Sequence, residues 1–240
     1  MRIVWLRHKN IKLVFLCSIF AIVTHVFSSY YPVLSRGGVE DADLSVLQGV
    51  RIAIDPGHGG IDDGASRNQV LEKELNLAIS LKLAEVLGAA GADVVLTRED
   101  DVDYYTKGKG GKRNDLLKRV ELIQAAAPRL YLSIHANAVP SSRWSGSQVF
   151  YSPSIEENKA LAEAVQAALR HFPPGNRRQA KPDSHILVLN QTGIPGILIE
   201  TGYLSNSEEA AKLVNSQYQQ DMAAMIAKGV AYHLRGYAAR

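Results

Sequence analysis

Short apolar runs alternate along this chain with longer stretches whose apolar positions recur every three or four residues. The first run, 50-VRIAI-54, reads as a strand. Residues 71–91 place Leu75, Ile79, Leu83 and Val86/Leu87 on one helical face, with Gly88 and Gly91 as the stop. A second strand follows at 93-DVVLTR-98. The stretch 99–113 is acidic, then basic and glycine-rich, and reads as a solvated loop or a loop facing a substrate. A helix over 115–127 then leads into a strand at 130-LYLSIHAN-137. After the strand 147-SQVFYS-152 comes a helix over 156–172, broken by Pro173-Pro174-Gly175. The runs 185-HILVLN-190 and 196-GILIETGYL-204 read as strands, and helices over 207–214 and 217–237 close the chain. Near-continuous apolar strands must be covered on both faces, so the expected class is α/β, a single domain.

The N-terminus differs from the rest. Arg2, Arg7, Lys9 and Lys12 precede 13-LVFLCSIFAIVTHVF-27, an apolar run of 15 residues. That length suits the core of an export signal and falls short of the roughly 20 residues that span a bilayer. Residues 1–28 therefore read as a signal peptide or an N-terminal membrane anchor. Residues 29–48 read as a linker, and 49–240 as the catalytic-looking domain. The net charge of +3 belongs to the N-terminus: of 27 basic residues four lie in 1–28, leaving 23 against 24 acidic residues. Nothing in that balance points to nucleic acid. The one cysteine, Cys17, lies in the N-terminal run, so 29–240 has no disulfide, cysteine metal site or cysteine nucleophile.

Polar residues gather at three strand ends: 55-DPGH-58, 133-SIHAN-137 and 200-ETG-202. Ligands of open α/β sheets bind at the carboxyl ends of the strands. His58 and His135, with a carboxylate from the acids near Glu72, have the composition of a catalytic zinc site with one open position. Glu200 follows four apolar residues, and burying a carboxylate there costs energy without a partner. A histidine at a strand end also serves as an ordinary hydrogen-bonded residue. DPGHGG also fits an anion-binding turn, although it lacks the lysine and spacing of a P-loop.

The stretches 54-IDPGHGG-60, 71-LEKELNLA-78, 133-SIHAN-137 and 199-IETGYLSN-206 resemble, in order and spacing, the zinc-dependent N-acetylmuramoyl-L-alanine amidases of the amidase-3 family. The likeness runs over about residues 49–238. Within that family, 106-TKGKGGKRNDLLKRVELI-123 and 143-RWSGSQVFYS-152 resemble the germination-specific spore-cortex amidases. The resemblance implies a twisted, mainly parallel sheet with helices on both faces. It implies cleavage of the amide between N-acetylmuramic acid and the L-alanine of a stem peptide, in cortex maturation towards muramic-δ-lactam. It assigns one zinc ion to His58, Glu72 and His135, prefers Glu72 to Glu74, and makes Glu200 the catalytic glutamate. Asp55 and Asn137 sit beside these ligands and read either as groups that orient them or as turn caps; His185 has no motif match and reads as a surface or structural histidine. Peptidoglycan is the implied substrate, outside the cytoplasm, in the cell wall or cortex region. N-terminal membrane association and an accessory protein stay open. The competing readings are a non-catalytic wall-binding or scaffold protein on the same fold, a zinc peptidase acting within the stem, and a vegetative-wall amidase. Arg143-Trp144 reads either as part of a glycan cleft or as a packed tryptophan beside an exposed arginine.

Overall fold

The structure is a computed structural model that describes residues 17–25, 37–105 and 110–238. Residues 17–25 are helical and exposed (α1) and belong to a unit separate from residues 39–240. The rest of the targeting segment read in 1–28 lies outside the described residues. No helix among the described residues is long and apolar enough to cross a membrane.

A six-stranded sheet organises the remainder. It is built from β1 (Arg51–Pro56), β4 (Asp93–Leu96), β5 (Leu130–Asn137), β6 (Gln148–Tyr151), β7 (Lys181–Pro182) and β8 (Gly196–Tyr203). Their order is β4-β1-β5-β8-β6-β7. The first four strands in that order are parallel, and β6 runs antiparallel to β8. A two-stranded hairpin, β2 (Ser66–Arg67) with β3 (Val70–Leu71), precedes the first long helix and was not expected from the sequence.

Alternation along the strands separates two cores. Ile52, Ile54, Leu132, Ile134, Ile197 and Ile199 face one side. That side is covered by α2 (Glu72–Ala89), α4 (Glu156–His171) and α7 (Ser216–Ala238). In α2 the buried positions Leu75, Ile79, Leu83 and Leu87 recur at four-residue spacing, one continuous apolar stripe. Ala53, Tyr131 and Leu198 face the other side, with Ile123 of α3 (Gly111–Ala126) and Val188 and Leu189 of α5 (Leu187–Gln191). Helices therefore cover both faces, and α6 (Ser207–Leu213) follows β8.

Three expectations change. Residues 185–190, read as a strand, are mostly α5. Asp183 Oδ1 accepts the backbone N–H groups of His185 and Ile186, which starts the turn, and Tyr131 Oη donates to Val188 O. The place beside β6 is already taken by β7, and a four-residue apolar run (Ile186 to Leu189) has no periodicity that separates strand from buried helix. Residues 39–48, read as linker, carry two 3-10 turns whose Val39 and Leu47 are buried, and both turns pack on α7. Asp43 caps the second turn by accepting from Ser45 N. The start of 99–113 is anchored, not merely solvated: Asp101 accepts from Gly60 N and Asp103 from Ile61 N.

Candidate active site

The parallel strands β1, β5 and β8 end side by side, and the face bearing Ala53, Tyr131 and Leu198 continues at those ends into Asp55, Ser133, His135 and Glu200. His135 and Glu200 are direct cross-strand neighbours. Past that pair β8 carries an extra residue relative to β5, and Thr201 Oγ1 donates to His135 O.

The turn after β1 is held by its carbonyls. Pro56 O accepts from Arg98 Nε at 3.0 Å and Arg119 Nη1 at 2.7 Å. Gly57 O accepts from Arg98 Nη2 at 2.9 Å and Asn76 Nδ2 at 3.2 Å, and His58 O from Arg119 Nη2 at 2.6 Å. Two buried arginines thus fix three consecutive carbonyls. His58 itself sits at φ +61°, a left-handed conformation uncommon outside glycine. Gly57 is required by the neighbouring strand, because a Cβ there would lie 2.2 Å from His135 Cε1. Gly57→Ala is expected to push the His135 ring aside and destabilise the fold by about 1–3 kcal/mol, the usual cost of overpacking, measured by urea unfolding.

Three donors converge above these strand ends. Glu72 opens α2 and is buried, whereas Glu74 is exposed on the far side of the same turn. Glu72 Oε1 lies 3.1 Å from His58 Nε2 and 3.1 Å from His135 Nδ1. The two imidazoles stand edge-on, 5.0 Å between centroids. One ligand atom from each of His58, Glu72 and His135 falls within 4.8 Å of the others. Tetrahedral ligands at about 2.0–2.1 Å from zinc lie roughly 3.3 Å apart, so the two nitrogens and the carboxylate oxygen have suitable type and spacing. Burial would raise the Glu72 carboxyl, but hydrogen bonds from His135 and His58 hold it well below the usual carboxylate range. Its Oε2 accepts from Ala65 N at 2.8 Å.

Residues around the donors fix their orientation. His58 Nδ1 meets Asp62 Oδ2 at 2.9 Å, which leaves Nε2 facing Glu72. Burial would lower the His58 pKa, yet Glu72 and Asp62 raise it. Asp62 is paired in turn with Lys112 of α3 at 3.1 Å. Asp55, expected to orient a ligand, has another task. Its carboxylate accepts from Thr97, Arg119 and Ser133, and its pKa stays low despite full burial. Asn137, also expected to orient a ligand, accepts from Leu204 N at its backbone oxygen and pairs with Tyr203 across the β5–β8 ladder. His185 is exposed and bonds through its backbone to Asp183.

Glu200 is unlike the others. Its Oε2 is buried with no hydrogen-bond partner. Burial pushes its pKa up to about 7; the nearby imidazoles oppose this and the Glu72 carboxylate reinforces it. A carboxyl group poised near neutrality beside three metal-type donors can both accept and donate a proton. A cavity of about 210 Å³ opens beside His58 and His135, walled by Lys112 and Leu116 of α3 and Leu187 of α5.

Comparison with known proteins identifies the family. The model of the N-acetylmuramoyl-L-alanine amidase family matches residues 52–232. The germination-specific N-acetylmuramoyl-L-alanine amidase of Bacillus subtilis (strain 168) is 41% identical over 188 residues, covering 77% of this chain and 79% of that one. Among solved structures, the CwlD amidase from Clostridioides difficile, determined in complex with the GerS lipoprotein, is 36% identical with a TM-score of 0.74. The match covers 78% of this chain and 99% of that one. The amidase AmiC2 of Nostoc punctiforme is 32% identical with a TM-score of 0.66, covering 80% and 98%. Since the match spans nearly all of the sheet and its helices, the chain belongs to the N-acetylmuramoyl-L-alanine amidase family and is a peptidoglycan hydrolase.

Proposed function

We propose that this enzyme is a zinc-dependent amidase of the spore cortex, which removes stem peptides ahead of muramic-δ-lactam formation. The observation that carries the zinc reading is the convergence of His58, Glu72 and His135 on one point beside Glu200. The germination-specific relative supports the cortex assignment. When bound, zinc lowers the pKa of a water and polarises the scissile carbonyl. The chain supplies the remainder. Asp62 holds the His58 ring so that Nε2 is presented, and the amide groups of Ala65 and Ala136 steady the Glu72 carboxylate. Glu200 takes the proton of the attacking water at a carboxyl oxygen and passes it to the departing L-alanine amine.

Asp62→Asn is expected to weaken zinc binding 10–100-fold, because the imidazole loses a carboxylate that fixes its orientation. Competition with a chromophoric chelator measures this without reference to turnover. Unchanged affinity would remove Asp62 from the metal site.

In the same reading, residues 1–28 direct export and 49–240 form the catalytic domain, which acts outside the cytoplasm. The complex of the Clostridioides difficile relative with a lipoprotein supports an accessory protein for this chain as well. The deciding test is mass spectrometry of peptidoglycan fragments incubated with the purified enzyme, with and without a chelator. Chelator-sensitive release of intact stem peptides with a free L-alanine amine is expected. Release of shortened stems would mean a peptidase, and chelator-resistant release would exclude the metal.

A further inference from the structure

A second concavity lies at the same end of the sheet as Glu200. Its volume is about 550 Å³, within the range of small-ligand sites. Topology puts it there. Residues 143–147 lead into β6, which begins opposite Glu200, and residues 176–178 lead towards β7, which runs parallel to β6. Tyr203, three residues past Glu200 on β8, lies roughly 10 Å further along that strand.

The walls are fixed rather than loose. Asn176 is buried and donates to Ser147 O and Leu169 O, while its Oδ1 accepts from Arg178 N. Arg178 Nε donates to Ser145 O, and its guanidinium lies 5.0 Å from the Trp144 ring centroid and 4.9 Å from that of Tyr203. Asn206 Nδ2 donates to the carbonyls of Ser142 and Trp144. Trp144 nevertheless remains 50% exposed. The concavity is strongly basic: Arg143, Arg177, Arg178 and Lys212 line it. Of the two acids present, Glu209 is committed to the backbone N–H groups of Gly146 and Tyr203, which leaves Glu208 as the one accessible carboxylate.

We propose that this basic cleft binds the carboxylates of the stem peptide being cut, beyond its L-alanine. The proposal rests on the amidase reading and deepens it by naming what the enzyme recognises away from the scissile bond. Roughly 10 Å is the reach of about three extended residues, so acidic positions of the stem come level with the cleft once the first amide is at Glu200. Guanidinium groups match carboxylates in charge and geometry. The Arg178–Trp144 stack orders one cation before the ligand arrives, which lowers the entropic cost of binding.

The test compares two zinc-loaded reactions of the full enzyme, on a muramoyl stem peptide with free carboxylates and on the same fragment with those carboxylates amidated. The expected preference in kcat/KM for the free acid is at least tenfold, expressed mainly in KM. The double charge reversal Arg143→Glu with Arg177→Glu is expected to bring that ratio close to one. Both side chains are exposed, and thermal unfolding of the variant checks that the fold is kept. Lys212→Glu repeats the test from another wall of the cleft and is expected to reduce the ratio in the same direction. Equal kcat/KM for the two fragments with the parent enzyme, or a ratio unmoved by both variants, would overturn the proposal and leave the amidase reading standing. Failure of the parent to cut either fragment would instead overturn that reading.

Discussion

Glu200→Gln is expected to lower turnover by about 10²–10⁴-fold, the usual contribution of a positioned general acid–base, while zinc stays bound. Gln fills the same space and cannot shuttle a proton. The same substitution has a second consequence in the metal-free protein. The folded pKa of Glu200 is about 7 against an ordinary 4.5, so the folded state holds the proton more tightly than the unfolded chain. Its stabilising contribution is therefore complete below about pH 4.5 and is lost as pH rises through 7. At pH 8 the parent must keep a charged carboxyl group with one oxygen buried and unpartnered, at a cost on the order of 3 kcal/mol. Metal-free Glu200→Gln should accordingly be more stable than the parent at pH 8, with the gap closing towards pH 5. Urea unfolding at both pH values, beside zinc content and turnover, measures all three effects. Retained turnover would remove Glu200 from the chemistry. Equal stability at pH 8 would mean that its carboxyl group is not held out of water.

Much of this was legible in the chain because its signals are local. The stripe Leu75, Ile79, Leu83 and Leu87 marks α2 without reference to anything else, and the apolar runs 50–54, 130–137 and 196–204 mark the central strands. Histidines placed directly after such runs must lie at strand ends, so the neighbourhood of His58, His135 and Glu200 follows from order alone. Choosing Glu72 over Glu74 needed the family resemblance, because neighbouring acids in a first helical turn carry no local sign of which one faces inward. Asp62, Arg98 and Arg119 were missed for a different reason. Asp62 lies in a glycine-rich turn where an acid ordinarily reads as solvated. Arg119 has one legible partner, Asp115 at i−4, but its others are Asp55 and the carbonyls of Pro56 and His58, more than sixty residues away. Long-range polar contacts leave no periodicity. The short helix α5 was misread because Val188 and Leu189 are buried against the sheet as a strand's residues would be.

Arg119→Met is expected to destabilise the protein by about 3–5 kcal/mol, the range for breaking one side of a buried ion pair. Arg119 is 1% exposed, and its guanidinium bonds Asp55 Oδ1 at 2.9 Å and Asp115 Oδ2 at 2.8 Å. Methionine occupies much of the same volume, so the loss is one of charge and hydrogen bonds and not of packing. It strands the Asp55 carboxylate, whose burial is now opposed by Arg119 and by the Thr97 and Ser133 hydroxyls. It also frees the carbonyls of Pro56 and His58, so the His58 turn loses two of its donors and zinc affinity is expected to fall with stability. Adding Asp55→Asn to Arg119→Met removes the stranded charge and should recover part of the loss, giving a coupling above about 1 kcal/mol in a double-mutant cycle. The pH dependence has a defined sign. In the parent the Asp55 pKa is held below its ordinary 3.8, so its contribution is present above that value and is lost as pH falls through the folded pKa. In Arg119→Met burial acts on Asp55 without its main counterion, and the carboxyl takes up a proton at higher pH. The stability gap between parent and variant should therefore be widest near neutrality and narrow in acid. Strictly additive single effects, or a gap independent of pH, would place the role of Arg119 in its contacts with the turn carbonyls and Asp115 and not in the charge of Asp55.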